Sequence, residues 1–262
     1  MNMGHKVILP GKQMAAWILV VMFTAACGSL PFISTDKLME QGIALYKQGS
    51  YDESVLKFEQ VIEREPGRYL AYVYIARSLI AQFKWGPAIS KVREAMKVAP
   101  DNTEVLGVLG EALLGGGMAA LEQRDFSQAI AYLLEYVQLQ PGSARGYLGL
   151  ARAYFGKSNF GDAGSTLITG LSKASEGRED LVKELLTGGT HALSAGDAGS
   201  AIHMLAAYVG EKPNSAPAWV GLGKAYLSEG AVLKAMEAAR KALSISPGHA
   251  DATSLMKSLT GG

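Results

Sequence analysis

Residues 216–249 read APAWVGLGKAYLSEGAVLKAMEAARKALSISPGH, and this stretch decides the fold. Trp219, Leu222, Gly223 and Tyr226 follow i, i+3, i+4, i+7 spacing and fall on one helical face. Gly230 breaks that helix, and a second one follows whose inward side carries Ala235, Ala239 and Ala242. Small residues there let two helices approach closely, while Trp219 and Tyr226 fill the space beyond. Proline cannot sit inside a helix, so Pro247 ends the unit.

Working outward, the closing proline recurs with turn residues behind it, at Pro66, Pro100, Pro141, Pro213 and Pro247. These prolines lie 34, 41, 72 and 34 residues apart, which is one unit, one unit plus seven, two units plus four, and one unit. A fixed period in this range means a solenoid of repeated helix pairs. Earlier units carry the pattern more loosely. The first has Leu38, Gly42, Leu45, Ser54, Phe58 and Val61; the second has Tyr72, Ile75, Ala76, Leu79, Ala88, Val92 and Ala95. In the third, Leu106, Leu109, Gly110 and Leu113 precede an insertion around Gly115-Gly116-Gly117, followed by Ala129 and Leu133. Those glycines lack the strand and the Lys-Ser/Thr of a phosphate loop, and read as a flexible break or a close helix contact. The fourth has Tyr147, Leu150, Ala151, Tyr154, Ala163 and Leu167, with Ser175 where proline is expected. The fifth has Leu185, Gly188, Gly189, Ala192, Ala201, Leu205 and Tyr208.

This pattern resembles the tetratricopeptide repeat over residues 35 to about 249. The resemblance implies an all-α, right-handed α-solenoid of about six helix hairpins, at 35–68, 69–102, 103–143, 144–181, 182–215 and 216–249. Ala252, Leu255, Met256 and Leu259 then give residues 250–262 the spacing of a helix that covers the last unit, as a solenoid requires.

In the family, the first helix of each pair lines a concave groove, at sites one, five and eight after the Trp219-type position. The one-after site reads Met39, Val73, Gly107, Leu148, Leu186 and Val220, and the eight-after site Tyr46, Ile80, Leu114, Phe155, Leu193 and Leu227. Between them the five-after site reads Ile43, Arg77, Glu111, Arg152, Thr190 and Lys224, with Arg77, Arg152 and Lys224 outnumbering Glu111. Two apolar tracks around a polar one suit an amphipathic helix or an extended apolar peptide, unless the eight-after track packs on the next unit instead. The Lys and Asn with which some members hold a C-terminal carboxylate are replaced by Met39 and Ile43, so carboxylate capture is not expected.

Ahead of the repeats, Lys6 and Lys12 precede an apolar run from Met14 to Ala26. Its 13 residues fall short of the ~20 that a helix needs to cross a bilayer. It ends Thr24-Ala25-Ala26-Cys27, a secretory pattern whose single cysteine resembles the lipobox of bacterial lipoproteins, with Thr24 in place of the usual Leu. The resemblance implies a signal over 1–26, lipidation of Cys27 and a short 27–34 linker; the alternative is an ordinary cleaved signal. Gly28 after the cysteine implies the periplasmic side of the outer membrane in a Gram-negative source. Seven residues from Gly28 to Ser34 reach at most ~25 Å, so the body would sit close to the membrane.

With 25 basic and 24 acidic residues there is no field of the kind nucleic acid requires. No Cys cluster is possible, and His191 and His203, on two helices of one unit, make a poor metal pair without a carboxylate or thiol. The expectation is a non-enzyme without cofactors that binds other envelope proteins through the groove and the membrane through Cys27. Lipid-anchored members of the family assist type IV pilus, secretin and export assembly; an adaptor regulating a cell-wall enzyme is the other reading.

Overall fold

The computed structural model describes residues 33–261, which form thirteen helices. In chain order these are α1 (Thr35–Lys47), α2 (Tyr51–Arg64), α3 (Tyr69–Ala81), α4 (Trp85–Val98), α5 (Thr103–Glu122), α6 (Phe126–Leu139) and α7 (Ala144–Gly156). After them come α8 (Phe160–Lys173), α9 (Arg178–Ser194), α10 (Ala198–Glu211), α11 (Ala216–Ser228), α12 (Val232–Ile245) and α13 (Ala250–Thr260). Odd helices from α1 to α11 are the first members of six hairpins, even ones the second, and α13 covers the end.

Each hairpin closes with the same turn. Two residues after every first helix the backbone takes a positive φ, at Gly49, Phe83, Arg124, Ser158, Gly196 and Gly230. The next amide then donates back to a carbonyl in the last helical turn, as from Ser50 to Leu45, Lys84 to Leu79 and Ala231 to Tyr226. This left-handed cap satisfies carbonyls that the helix end would otherwise leave unpaired. Between hairpins the proline turn is tied from the far side: Trp219 Nε1 donates to the Pro213 carbonyl at 2.8 Å, and the Tyr72 hydroxyl to that of Pro66 at 3.1 Å. The aromatic residue of the sequence pattern thus packs the hairpin and also fixes the turn before it.

Within a hairpin the two helices meet at one small residue. A Cβ built on Gly42 would stand 2.7 Å from the Phe58 ring; one on Gly117 would meet Leu133 at 2.5 Å, and one on Gly189 would meet Leu205 at 2.7 Å. Phe58, Leu133 and Leu205 are fully buried. The third unit corrects the sequence frame. Gly117, not Gly110, is its contact glycine, since a Cβ on Gly110 would find only ordinary contacts at 3.7 Å with Tyr136 and Leu139. The triple glycine is neither a break nor the insertion. It lies inside the continuous 20-residue helix α5, where Gly115 and Gly116 seat Trp85.

The seven extra residues instead lengthen α5 at its start. Seven residues are close to two turns at 3.6 per turn, so the same face stays turned to the core. The four extra residues of the fourth unit behave alike. They add about one turn to α9, which begins at Arg178, so the expected boundary at 181/182 falls inside a helix. Glu176, in the segment that replaces the missing proline, forms an isolated parallel bridge with Ser143.

Successive first helices pack on one another along the chain, as do each second helix and the next first helix. Among the described residues, only α8 and α10 of the second helices approach one another backbone to backbone, while α4 and α6 are joined by the Arg93–Glu135 ion pair at 2.7 Å. The first helices therefore take the shorter, inner path and the second helices the outer one. Both ends of the stack are polar: Asp36, Lys37, Glu40 and Lys47 are exposed on α1, and Asp251, Ser254, Lys257 and Ser258 on α13. As expected, α13 covers the last hairpin, with Leu255 placed 2.8 Å from where a Gly223 Cβ would lie. By length and composition α5 could cross a membrane, but half of its apolar stretch is buried in the stack.

Candidate protein-binding groove

The inner face carries the expected lining residues, though not all of them reach its surface. Met39, Val73, Ile80 and Val220 are buried, at 5%, 0%, 8% and 3% exposure, and belong to the core. The cause is the next first helix. Val73 clusters with Val105 and Val108 of α5, Met39 with Ala71 and Ile75 of α3, and Val220 with Ala252 of α13. Tyr46, Leu114, Leu148, Phe155, Leu186 and Leu193 are half-buried and Leu227 is exposed.

The basic track is also corrected. Arg77 pairs with Glu104 at 3.0 Å, Arg152 with Glu184 at 3.0 Å, and Lys224 with Asp251 at 3.2 Å. The first two pairs tie one first helix to the next and the third ties α11 to the covering helix α13, which a reading of single units cannot show. Such exposed pairs contribute only ~0–1 kcal/mol each, yet they neutralise the three cations that made the track look basic.

Two aromatic groups anchor that apolar surface. Near the N-terminal end, Tyr46 meets Tyr74 edge-on at 5.7 Å, Tyr74 stacks on Phe58 at 5.1 Å, and the Arg77 guanidinium lies 5.6 Å from the Tyr74 ring centre. Further along, Phe155 lies beside Phe160 at 6.1 Å, and Phe160 meets His191 edge-on at 5.1 Å. The Phe155 ring rests on Gly188, where a Cβ would stand 2.2 Å from it. Leu148 and Arg145 line a cavity of about 430 Å³ between the fourth and fifth units, with Glu176 and Asp180. Sequence reasoning misses Tyr74, which occupies none of the three family sites, and Met118 and Leu121, which the corrected frame puts at the five-after and eight-after sites of α5. The glycine-to-bulky spacing of Gly42–Phe58 and Gly189–Leu205, applied to Gly117–Leu133, would have found the last two.

The outer face has clefts of its own. One of about 470 Å³ is lined by Leu134, Tyr147 and Tyr154, and a second of about 450 Å³ by the equivalent Ala206, Trp219 and Tyr226. Burial, and then the nearby Asp162 carboxylate, push the Tyr154 hydroxyl above the ordinary tyrosine range. A further cavity, about 620 Å³, sits by the inter-unit turns at Pro213, Ser215 and His249. His191 and His203 are both exposed. Among the described residues no three His, Cys, Asp or Glu side chains converge as a metal site would need. The expected signal, residues 1–26, and the expected anchor Cys27 lie outside the described residues.

A family model for the tetratricopeptide repeat matches residues 39–82, 114–171 and 186–250. The chain belongs to the tetratricopeptide repeat family. Its three matched stretches begin at Met39, Leu114 and Leu186, each three residues before a contact glycine, which agrees with the corrected frame of α5. Tetratricopeptide repeats mediate contacts between proteins and form a generally non-catalytic scaffold family. Among curated relatives, tetratricopeptide repeat protein 16 of Mus musculus is 29% identical over 104 residues, and tetratricopeptide repeat protein 33 of Mus musculus 27% over 96 residues. These alignments cover 40% and 37% of this chain, and only 14% and 37% of the relatives. The solved structure of Naa15/Naa10 bound to HypK-THB overlays 95% of this chain and 36% of that one, with a TM-score of 0.51 at 15% identity, a likeness of fold alone. PilW, described as a widely conserved type IV pilus biogenesis factor, overlays 85% of this chain and 98% of its own at a TM-score of 0.37 and 16% identity, too low to inform function.

Proposed function

We propose that this protein is a non-catalytic scaffold, held at a bacterial envelope through lipidated Cys27, that grips a partner protein in the groove of its first helices. The observation that carries the reading is the row Leu114, Leu148, Phe155, Leu186, Leu193 and Leu227, which stays at least partly open to solvent along the inner face. A contiguous apolar row on an accessible surface marks an interaction site, and a curved one fits an amphipathic helix or an extended apolar segment. Neutralised cations alongside it favour an apolar ligand over an acidic one. The Thr24–Cys27 pattern supports lipid anchoring, Gly28 after it supports the periplasmic side of the outer membrane in a Gram-negative source, and the family resemblance extends the proposal to assembly of a type IV pilus, secretin or export machine.

Photo-crosslinking in cells from position 155 tests the groove. One recurrent partner is expected, and it should vanish with Phe155→Asp in combination with a probe at Leu186. Its identity separates an assembly machine from a cell-wall enzyme. Capture only from probes on the second helices would move binding to the outer face. The anchor has its own test: Cys27→Ser should release the protein from membranes on fractionation, and a variant that stays bound with its signal cleaved refutes lipidation.

A further inference from the structure

We infer that the solenoid is locked at the joint between its fourth and fifth units and bends at the joints on either side. At the lock the backbones of the second helices α8 and α10 come within 8 Å Cα to Cα, which no other pair of successive second helices does among the described residues; α4 and α6 meet only through side chains, Arg93 to Glu135 at 2.7 Å. Glycines make the approach possible: a Cβ on Gly164 would stand 2.8 Å from Met204, and one on Gly161 3.7 Å from Ser200. The inner side of the same joint is held by Phe155 resting on Gly188 and by Arg152 paired with Glu184. Between the two sides, the added turn of α9 contributes the buried Leu181, followed by the buried Val182, and a Cβ on Gly170 would meet Leu181 at 3.2 Å. Contact along an inner, a middle and an outer line restrains rotation here; the cavity of about 430 Å³ in this joint lies beside the start of α7 and does not separate α8 from α10.

The joints between units three and four, and between units five and six, lack the outer line. In its place stand the two outer clefts, about 470 Å³ between α6 and α8 and about 450 Å³ between α10 and α12. Every residue lining the second cleft stands 72 residues after one lining the first, so that Val137, Tyr147, Leu150 and Tyr154 recur as Val209, Trp219, Leu222 and Tyr226. Close packing resists small displacements, whereas an open cleft gives a helix room to swing about its remaining contacts. The helices α7–α10 thus move as one body, and the chain on each side hinges against it. Phe155, Leu186 and Leu193 ride on that body and keep their mutual geometry, while Leu114 and Leu227 change distance from it. The device is independent of what occupies the groove.

Spin labels at Ala131, Ser165, His203 and Glu237, exposed and equivalent positions on α6, α8, α10 and α12, test this in the full chain carrying Cys27→Ser. Electron–electron distance measurement should give a distribution for the 165–203 pair about twofold narrower than for 131–165 or 203–237, as close packing restricts it. Equal widths for the three pairs, or the broadest for 165–203, would overturn the inference. Gly164→Leu should separate α8 from α10 and broaden the 165–203 distribution to match its neighbours; a folded variant with unchanged width refutes the glycine lock. Should that variant not fold, the comparison of the three pairs decides alone.

Discussion

Gly117→Ala is expected to lower the melting temperature, and Gly110→Ala, seven residues earlier on the same helix, to raise it. At Gly117 the new methyl carbon would stand 2.5 Å from Leu133 Cγ, and Leu133 is fully buried at the middle of the core. Overpacking of this kind costs about 1–3 kcal/mol, which outweighs the gain of up to ~1 kcal/mol from replacing a helical glycine. At Gly110 the nearest atoms are 3.7 Å away, so the helical gain of roughly 0.5–1 kcal/mol remains. The opposite signs are what matters. If Gly110 were the contact glycine, as the period of the sequence alone suggests, the two substitutions would exchange effects. Circular dichroism melts of the two variants and the parent protein decide between the frames.

Phe58→Ala should cost about 3–5 kcal/mol, the usual loss for deleting a buried aromatic ring. Its ring is 0% exposed, lies against Gly42 and stacks on Tyr74 at 5.1 Å. The buried Ser54 hydroxyl, donating to the Gly42 carbonyl at 2.9 Å, would lose its ordered surroundings too. In a solenoid each unit touches only its neighbours, so the damage should remain local. Hydrogen exchange is expected to accelerate across residues 35–64 and into Tyr74, and to stay unchanged in α8 to α12. Uniform acceleration along the whole chain would show that the units do not behave as nearest-neighbour modules.

The sequence by itself determined the repeat, the number of hairpins, the residues that pack within the regular hairpins and the covering helix at the end. It could do so because these depend on spacing within about 34 residues, and a face repeated every 3.6 residues is visible in one strand of text. The family frame at Trp219, Leu222, Gly223 and Tyr226 needed no tertiary information, nor did the places of Gly42 and Phe58 in the pattern of the first unit. Where the extra residues of the third unit lay was ambiguous for a physical reason. Seven residues make nearly two whole turns, so Gly110 and Gly117 share a face, and only contact with Leu133 selects one.

Tertiary structure alone decided what happens between units. Met39, Val73 and Val220 have the chemistry of groove residues and are buried because the next first helix, or for Val220 the covering helix α13, packs on them. Arg77, Arg152 and Lys224 look free in their own units and are paired across to Glu104, Glu184 and Asp251. The contact of α8 with α10, and the clefts flanking it, depend on how far one hairpin is rotated on the next. That rotation arises from side chains of two units meeting at once, and the pattern within either unit does not contain it.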